Sequence, residues 1–278
     1  MDLVGRERAQ AALERTERGF VRALGGYTVG LAGGTLLVNE RIPLPRFNVV
    51  QAVRVARGRR TQFFEGALDH YYQRALRPRF RVEDPVPAHV AETLEHLGYR
   101  PQRRSELWLV AGPDRPAGGA VPGLERTAPE ALDEIVAWWA DGREGVELRR
   151  QVEVGMLHPN PGESLAPLAY RGTDGALRSV GLAYRRGEAA VLEAVLTVPG
   201  QRGGGAATAW VRGALGEEPC RGARYVGLRT EEPRLGERLA PMGFEPAGRF
   251  RSYELDPAAE LRVPVAPSNG PLWRPPRA

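Results

Sequence analysis

Thr197-Val198-Pro199-Gly200-Gln201-Arg202-Gly203-Gly204-Gly205-Ala206-Ala207-Thr208-Ala209-Trp210 is the stretch on which the fold turns. A β-rich run over 189–198 meets a proline, passes through glycines and becomes an alanine-rich helix over 205–215. Glycine lets backbone N–H groups approach and wrap an anion. A helix start adds unpaired donors and a favourable dipole field. A turn of this kind takes phosphate or pyrophosphate; the plain alternative is a flexible loop, since loops collect glycine. Two other phosphate loops are excluded. The chain contains no lysine, so there is no Gly-Lys-Ser/Thr. Nor is a GxGxxG formed within an early βαβ unit with an acid at the required distance.

Working outward, the second half reads as strands over 166–170, 180–185 and 189–198, with glycine turns between them. Past the glycine-rich turn come the helix, a strand over 224–228, a helix over 233–239 and a last strand over 249–255. Upstream, a helix ends at Trp139, with Leu132, Ile135 and Trp139 on its apolar side, and a second helix covers 143–155. The first half repeats this order. Helices are read over 6–24, 61–76 and 88–97, and strands over 27–31, 35–38, 47–55, 79–82 and 106–110. An offset of 145 positions carries Leu94-Glu95-His96-Leu97-Gly98-Tyr99 onto Leu239-Ala240-Pro241-Met242-Gly243-Phe244. The same offset carries Trp108 onto Tyr253 and Arg57-Gly58 onto Arg202-Gly203. The sequence thus predicts a mixed α/β (α+β) protein with two tandem copies of one fold, over 1–111 and 124–256. In each, a mixed, largely antiparallel sheet is flanked by helices. Residues 112–123, rich in Pro and Gly, read as a linker, and 257–278 as a proline-rich tail.

Arg202, Gly205 and Ala207, preceded by Val198-Pro199, resemble the Arg/Gln-x-x-Gly-x-Gly/Ala motif of the GNAT (GCN5-related N-acetyltransferase) superfamily. A register through Gln201, Gly204 and Ala206 also fits. Tyr225-Val226-Gly227-Leu228 and Met242-Gly243-Phe244 look like later elements of that fold, so the resemblance spans about 124–255. It implies acetyl-CoA as acyl donor. Leu196, Thr197, Val198, Gln201, Arg202, Gly203, Gly204, Gly205, Ala206 and Ala207 are the expected binding positions, with loop amides on the pyrophosphate. A strand amide near Val198 would polarise the thioester carbonyl.

The reaction the resemblance implies is direct attack of an amine on the thioester, and the attack requires a base. Glu193 is the candidate the resemblance implies, lying nine residues before Arg202 where many members of that superfamily carry an acid at the acceptor amine; alternation places it on the face of Val195 and Thr197. A solvent-facing strand glutamate is the bland reading of the same residue. The family often has a tyrosine acid where this chain has Leu239; Tyr253 is the remaining candidate, against a reading as core packing. The first copy reads Arg57-Gly58-Arg59-Arg60-Thr61-Gln62 at the loop and Asn48 at the place of Glu193. The bulky Arg60 and Gln62 obstruct backbone approach to an anion, so this copy is expected not to bind CoA productively.

Composition narrows the remaining classes. The 278 residues suffice for two domains, and 42% are hydrophobic. No stretch approaches the roughly 18 apolar residues of a membrane span. The N-terminus lacks a secretory pattern, so the cytoplasm is expected. The net charge is +5, but all 39 basic residues are arginine and are interleaved with acids, which argues against a nucleic-acid face. The single Cys220 reads as an inert small hydrophobe. His70, His89, His96 and His158 show no metal-ligand spacing. The sequence therefore predicts an N-acetyltransferase whose acceptor is an amine of a small molecule or a protein. The alternative is an acyl-CoA-binding regulatory protein with little turnover. A homodimer is compatible with either.

Overall fold

A computed structural model describes residues 2–127, 142–157, 162–198 and 200–256. The expected helix ending at Trp139, His158, Pro199 and the tail from residue 257 lie outside the described residues. In chain order the first elements are α1 (Leu3–Ala23), β1 (Tyr27–Leu31), β2 (Gly34–Val38), β3 (Val49–Gln51), α2 (Arg60–Tyr72), β4 (Arg79–Glu83), α3 (Ala88–His96), β5 (Tyr99–Pro101) and β6 (Glu106–Ala111). There follow β7 (Leu124–Arg126), α4 (Gly142–Leu157), β8 (Glu163–Arg171), β9 (Leu177–Arg186), β10 (Ala189–Thr197), α5 (Ala206–Ala214), β11 (Tyr225–Thr230), α6 (Pro233–Leu239) and β12 (Phe244–Leu255).

The element order matches the mixed α/β expectation, and the repeat has a structural counterpart. Gly98 and Gly243 both sit in the left-handed region, at φ +86° and +84°. Leu94 and Leu239 before them are fully buried, as are Tyr99 and Phe244 after them. Each pair marks where a helix ends and a strand begins, a junction that needs positive φ and an apolar anchor on either side.

The unit boundaries differ from those expected. One compact unit is formed by Met1–Gly26 with Glu106–Arg249, the other by Tyr27–Ser105 with the chain from Phe250 onward. In the first unit, β6 pairs antiparallel with β11, Trp108 opposite Arg229. In the second, the end of β12 pairs antiparallel with β4, Tyr253 opposite Phe80. The strands that match across the repeat have thus changed places, and α1 belongs with the later part of the chain. Hydrophobic periodicity shows which face of an element is buried, not which partner buries it, so the sequence boundaries follow chain order instead.

The first unit's sheet runs β6-β11-β10-β9-β8-β7, with β10 and β11 parallel and the other neighbours antiparallel. Against one face lies α5. Its Trp210 is fully buried and donates its indole N–H to the Leu168 carbonyl at 2.9 Å. Trp210 and Val211 pack with Leu168, Ala183, Leu192 and Leu228. Burying a ring of this size is worth roughly 3 kcal/mol. On β11, Gly227 permits close approach, since a Cβ there would come within 2.5 Å of the Leu13 side chain of α1. The segment 112–123 is not a free linker. Arg115 donates to the carbonyls of Gly112, Cys220, Ala223 and Arg224 at 2.8–3.2 Å, fixing the segment within this unit.

In the second unit the order is β1-β2-β3-β4 and then the end of β12, with β3 and β4 parallel and β5 also pairing β12. Phe63, Phe64, Tyr71, Phe80 and Tyr99 form its core. The strand expected over 47–55 is cut to Val49–Gln51. Pro45–Phe47 forms a 3-10 turn before it, and Ala52 takes φ +53° after it.

Candidate functional site

The site is built where two parallel strands part. Between β10 and β11 the pairing runs from Ala189–Tyr225 to Leu192–Leu228 and stops, although β10 continues to Thr197 and β11 to Thr230. Against β9, a one-residue register shift falls between Glu193 and Leu196. Such a bulge bends its strand and raises its twist, which turns the end of β10 away from β11.

The bulge also corrects the expected alternation. Val195 packs with the cluster under α5, alongside Leu192 and Leu228, so Glu193 and Val195 are not on one face. The strand amide expected near Val198 to polarise a carbonyl is not that of Val198 itself. Val198 donates its N–H to the Arg178 carbonyl at 3.0 Å, so it points into the β9 side. Antiparallel alternation turns the Thr197 N–H to the opposite edge, the side on which β11 has departed. Leu196 is held from the β9 side, its carbonyl accepting the Ser179 hydroxyl at 2.7 Å.

At the end of the splay the chain turns. Gln201 donates its N–H to the Val198 carbonyl at 3.0 Å, with Gly200 at φ +81°, where a side chain would be strained. Gly203 and Gly205 follow at +87° and +83°. A Cβ on any of the three would meet open space, so the loop presents bare backbone. Arg202, Gly203 and Gly204 are exposed, Ala206 is buried as the first residue of α5, and Ala207 is half-buried. Gly205 caps α5 with no side-chain bond, and the first-turn N–H groups have no acceptor within the helix. Backbone without side chains, curled in front of unpaired donors, fits a pyrophosphate.

Glu193 stands at the mouth of the splay. Its carboxylate accepts from Arg229 Nη2 at 3.2 Å and is 23% exposed. Arg229 also pairs with Glu17 of α1, approaches Glu106 of β6 at 4.0 Å, and lies over the Trp108 ring at 5.9 Å. The register explains this meeting. Val191 pairs with Gly227, so two residues on, past the last paired rung, the same face carries Glu193 and Arg229. Arg229 lies directly across from Trp108 on β6, and Glu106 is two residues from Trp108 on that face. The sequence reading missed Arg229, Glu17, Glu106 and Trp108. They come from three separated segments, α1, β6 and β11, with no common motif, and the sheet register brings the two strands' residues together.

Tyr253 is corrected to core packing. It lies in the second unit, 3% exposed, among Phe80, Tyr99 and Leu94, and burial pushes its phenol above the ordinary value. Leu239 is fully buried beneath α5 and offers no acid. Cys220 is buried in the same unit, its thiol pushed up to about 12 by burial, as suits an inert side chain. Among the described residues no cluster of three or more His, Cys, Asp or Glu side chains could hold a metal. No helix among them is long and apolar enough to cross a membrane.

No family model matches the chain, and no curated protein does. Solved structures do resemble it. A GCN5-related N-acetyltransferase from Kribbella flavida aligns over 90% of this chain and 97% of its own, at TM-score 0.60 and 14% identity. One from Sphaerobacter thermophilus aligns over 82% and 78%, at TM-score 0.55 and 20% identity. A tandem GNAT protein from the clavulanic acid biosynthesis pathway aligns over 81% and 79%, at TM-score 0.51 and 16% identity. At these identities the likeness is one of fold, and it extends over both units. The splayed parallel pair, the glycine loop and the two matched units agree with it: the fold of this chain is that of the GCN5-related N-acetyltransferases, in tandem form.

Proposed function

We propose that the protein transfers an acetyl group from acetyl-CoA to an amine, of a small molecule or a protein, by direct attack. One observation carries the reading: β10 and β11 part just before a loop of positive-φ glycines, with Glu193 beside the gap. The loop amides and the start of α5 hold the pyrophosphate, and the thioester lies along the free edge of β10. The Thr197 N–H is placed to meet charge developing on the carbonyl oxygen. The amine nitrogen bonds to the carbonyl carbon, the C–S bond breaks, and Glu193 accepts the ammonium proton. Coenzyme A leaves as thiolate, which needs no obligatory acid and so tolerates Leu239. The carboxylates around Arg229 raise the local concentration of a cationic acceptor.

Calorimetric titration with acetyl-CoA, followed by an amine panel, tests this. Wild type is expected to bind near one equivalent and to release thiol when a competent amine is present. Glu193→Gln keeps that binding and loses about 10²–10⁴ in kcat. Absence of binding by folded wild type sinks the reading. Binding with no turnover on any amine, unaffected by Glu193→Gln, establishes the second reading: an acyl-CoA-binding regulatory protein, which the buried Leu239 at the usual acid position favours.

A further inference from the structure

The N-terminal helix has a place in this site that neither the motif nor the repeat predicts. Along α1, Leu13 and Glu17 are one turn apart and share a face. Along β11, Gly227 and Arg229 are two residues apart and share a face. Leu13 sits over Gly227, where the missing Cβ lets the helix approach, and one step further Glu17 meets Arg229. Glu17 is 5% exposed and Arg229 14%, so the pair is nearly enclosed. Arg229 then presents one guanidinium to three carboxylates: Glu17 from α1, Glu106 from β6 and Glu193 from β10. Glu193 and Glu17 share Nη2, while Glu106 stands off Nη1.

We propose that Glu17 is a positioning residue for Glu193: through Arg229 it fixes the carboxylate at the mouth of the splay and limits how much of the guanidinium charge that carboxylate feels. This rests on reading Glu193 as the base. A carboxylate with Arg229 to itself holds its proton weakly and is a poor acceptor. One that shares Arg229 with Glu17 and Glu106 is more basic while keeping the same anchor. The charged groups that contact Arg229 among the described residues are these three glutamates, and opposite Glu193 on β9 stands the apolar Leu182. Removing the Glu17 charge therefore favours the ionised form of Glu193, and removing the Arg229 charge disfavours it.

The test is a carboxyl-carbon NMR titration of the full-length chain, with Glu193 assigned by loss of its signal in Glu193→Gln, alongside the pH profile of kcat/KM. Glu17→Gln is expected to lower the Glu193 titration midpoint by roughly one pH unit and carry the acid limb with it. Glu106→Gln moves both the same way by less, and Arg229→Met moves them up. A merely structural Glu17 would lower the melting temperature and leave the midpoint where it is. An unmoved midpoint in folded Glu17→Gln overturns the proposal; should that variant not fold, an unmoved midpoint in Glu106→Gln does so. The NMR titration needs no turnover. Shifted midpoints in a protein with no transferase activity would keep the Glu17–Arg229–Glu193 coupling and discard the acyl-transfer reading alone.

Discussion

Residues 57–62 and 202–207 stand at matching places in two copies of one plan, and they have become different objects. At 202–207, positive-φ glycines expose backbone ahead of a helix that starts at Ala206. At 57–62, Arg57–Arg59 is a 3-10 turn closed by the Arg59 N–H on the Ala56 carbonyl, and α2 starts at Arg60 with side chains along its first turn. Gly58, the one glycine there, is not in the left-handed region. The strands before the loops differ likewise. Asn48 is fully buried and donates to the carbonyls of Asn39, Ile42 and Leu44 while accepting from the Asn39 N–H. Glu193, its counterpart, is part-exposed and faces an arginine. One copy uses these positions to hold itself together, and the other leaves them open for chemistry.

The largest expected effect comes from making the second loop like the first. Gly205→Arg places a side chain at φ +83° and into the open space before α5. Acetyl-CoA affinity is expected to fall on the order of 10³-fold, about 4 kcal/mol, by calorimetry. Stability should change by only about 1 kcal/mol, the cost of left-handed backbone for a non-glycine residue. A large loss of stability with binding retained would break the contrast between a built loop and an open one.

Next is the exchange at the strand position. Asn48→Ala leaves one buried N–H and several carbonyls without their partner, and is expected to cost about 3 kcal/mol in denaturant unfolding. Glu193→Ala should cost about 1 kcal/mol or less, because Arg229 keeps Glu17 and Glu106 and the pair is part-exposed. Comparable losses at both positions would mean that Glu193 is as structural as its counterpart.

These contrasts show what the sequence makes legible. The glycine loop, α6 over 233–239 and the matched Gly98 and Gly243 turns were readable because each is set by local backbone chemistry. The degeneracy of residues 57–62 was readable for the same reason. The partnership of α1 with β11 was not, since Leu13, Glu17, Gly227 and Arg229 announce only that each has a buried or charged side. The bulge between Glu193 and Leu196 was hidden too. It is one extra residue relative to β9, and a register is a property of two strands. For that reason strand alternation misplaces the face of Glu193, and Tyr253, the remaining candidate for an acid, stands on a strand end that pairs in the other unit.

A smaller effect sharpens the role of Gly227. Gly227→Ala puts a methyl group 2.5 Å from Leu13 and is expected to cost about 1–3 kcal/mol through overpacking. Leu13→Ala in the same chain should recover part of that loss by making room, and the double-mutant cycle measures the coupling. Additive losses would mean that α1 approaches β11 less closely than the missing Cβ implies.

The smallest expected effect is none at all. Arg60→Gly with Gln62→Ala gives the first loop small residues at the places where the second has Gly205 and Ala207. Small residues alone should not create a second site, because the stretch before the loop is filled by its own buried side chains and tied by hydrogen bonds. Val53 and Val55, which the same offset places at Val198 and Gly200, are buried in the second unit's core. The Arg54 N–H is bound to the Gly33 carbonyl at 2.8 Å, and His89 Nε2 lies 3.0 Å from the Val55 carbonyl. Acetyl-CoA stoichiometry in the double variant should stay at the wild-type value. A second equivalent bound would place the binding capacity in the loop's composition; an unchanged value would place it in the parted strands, which glycines at the loop cannot supply.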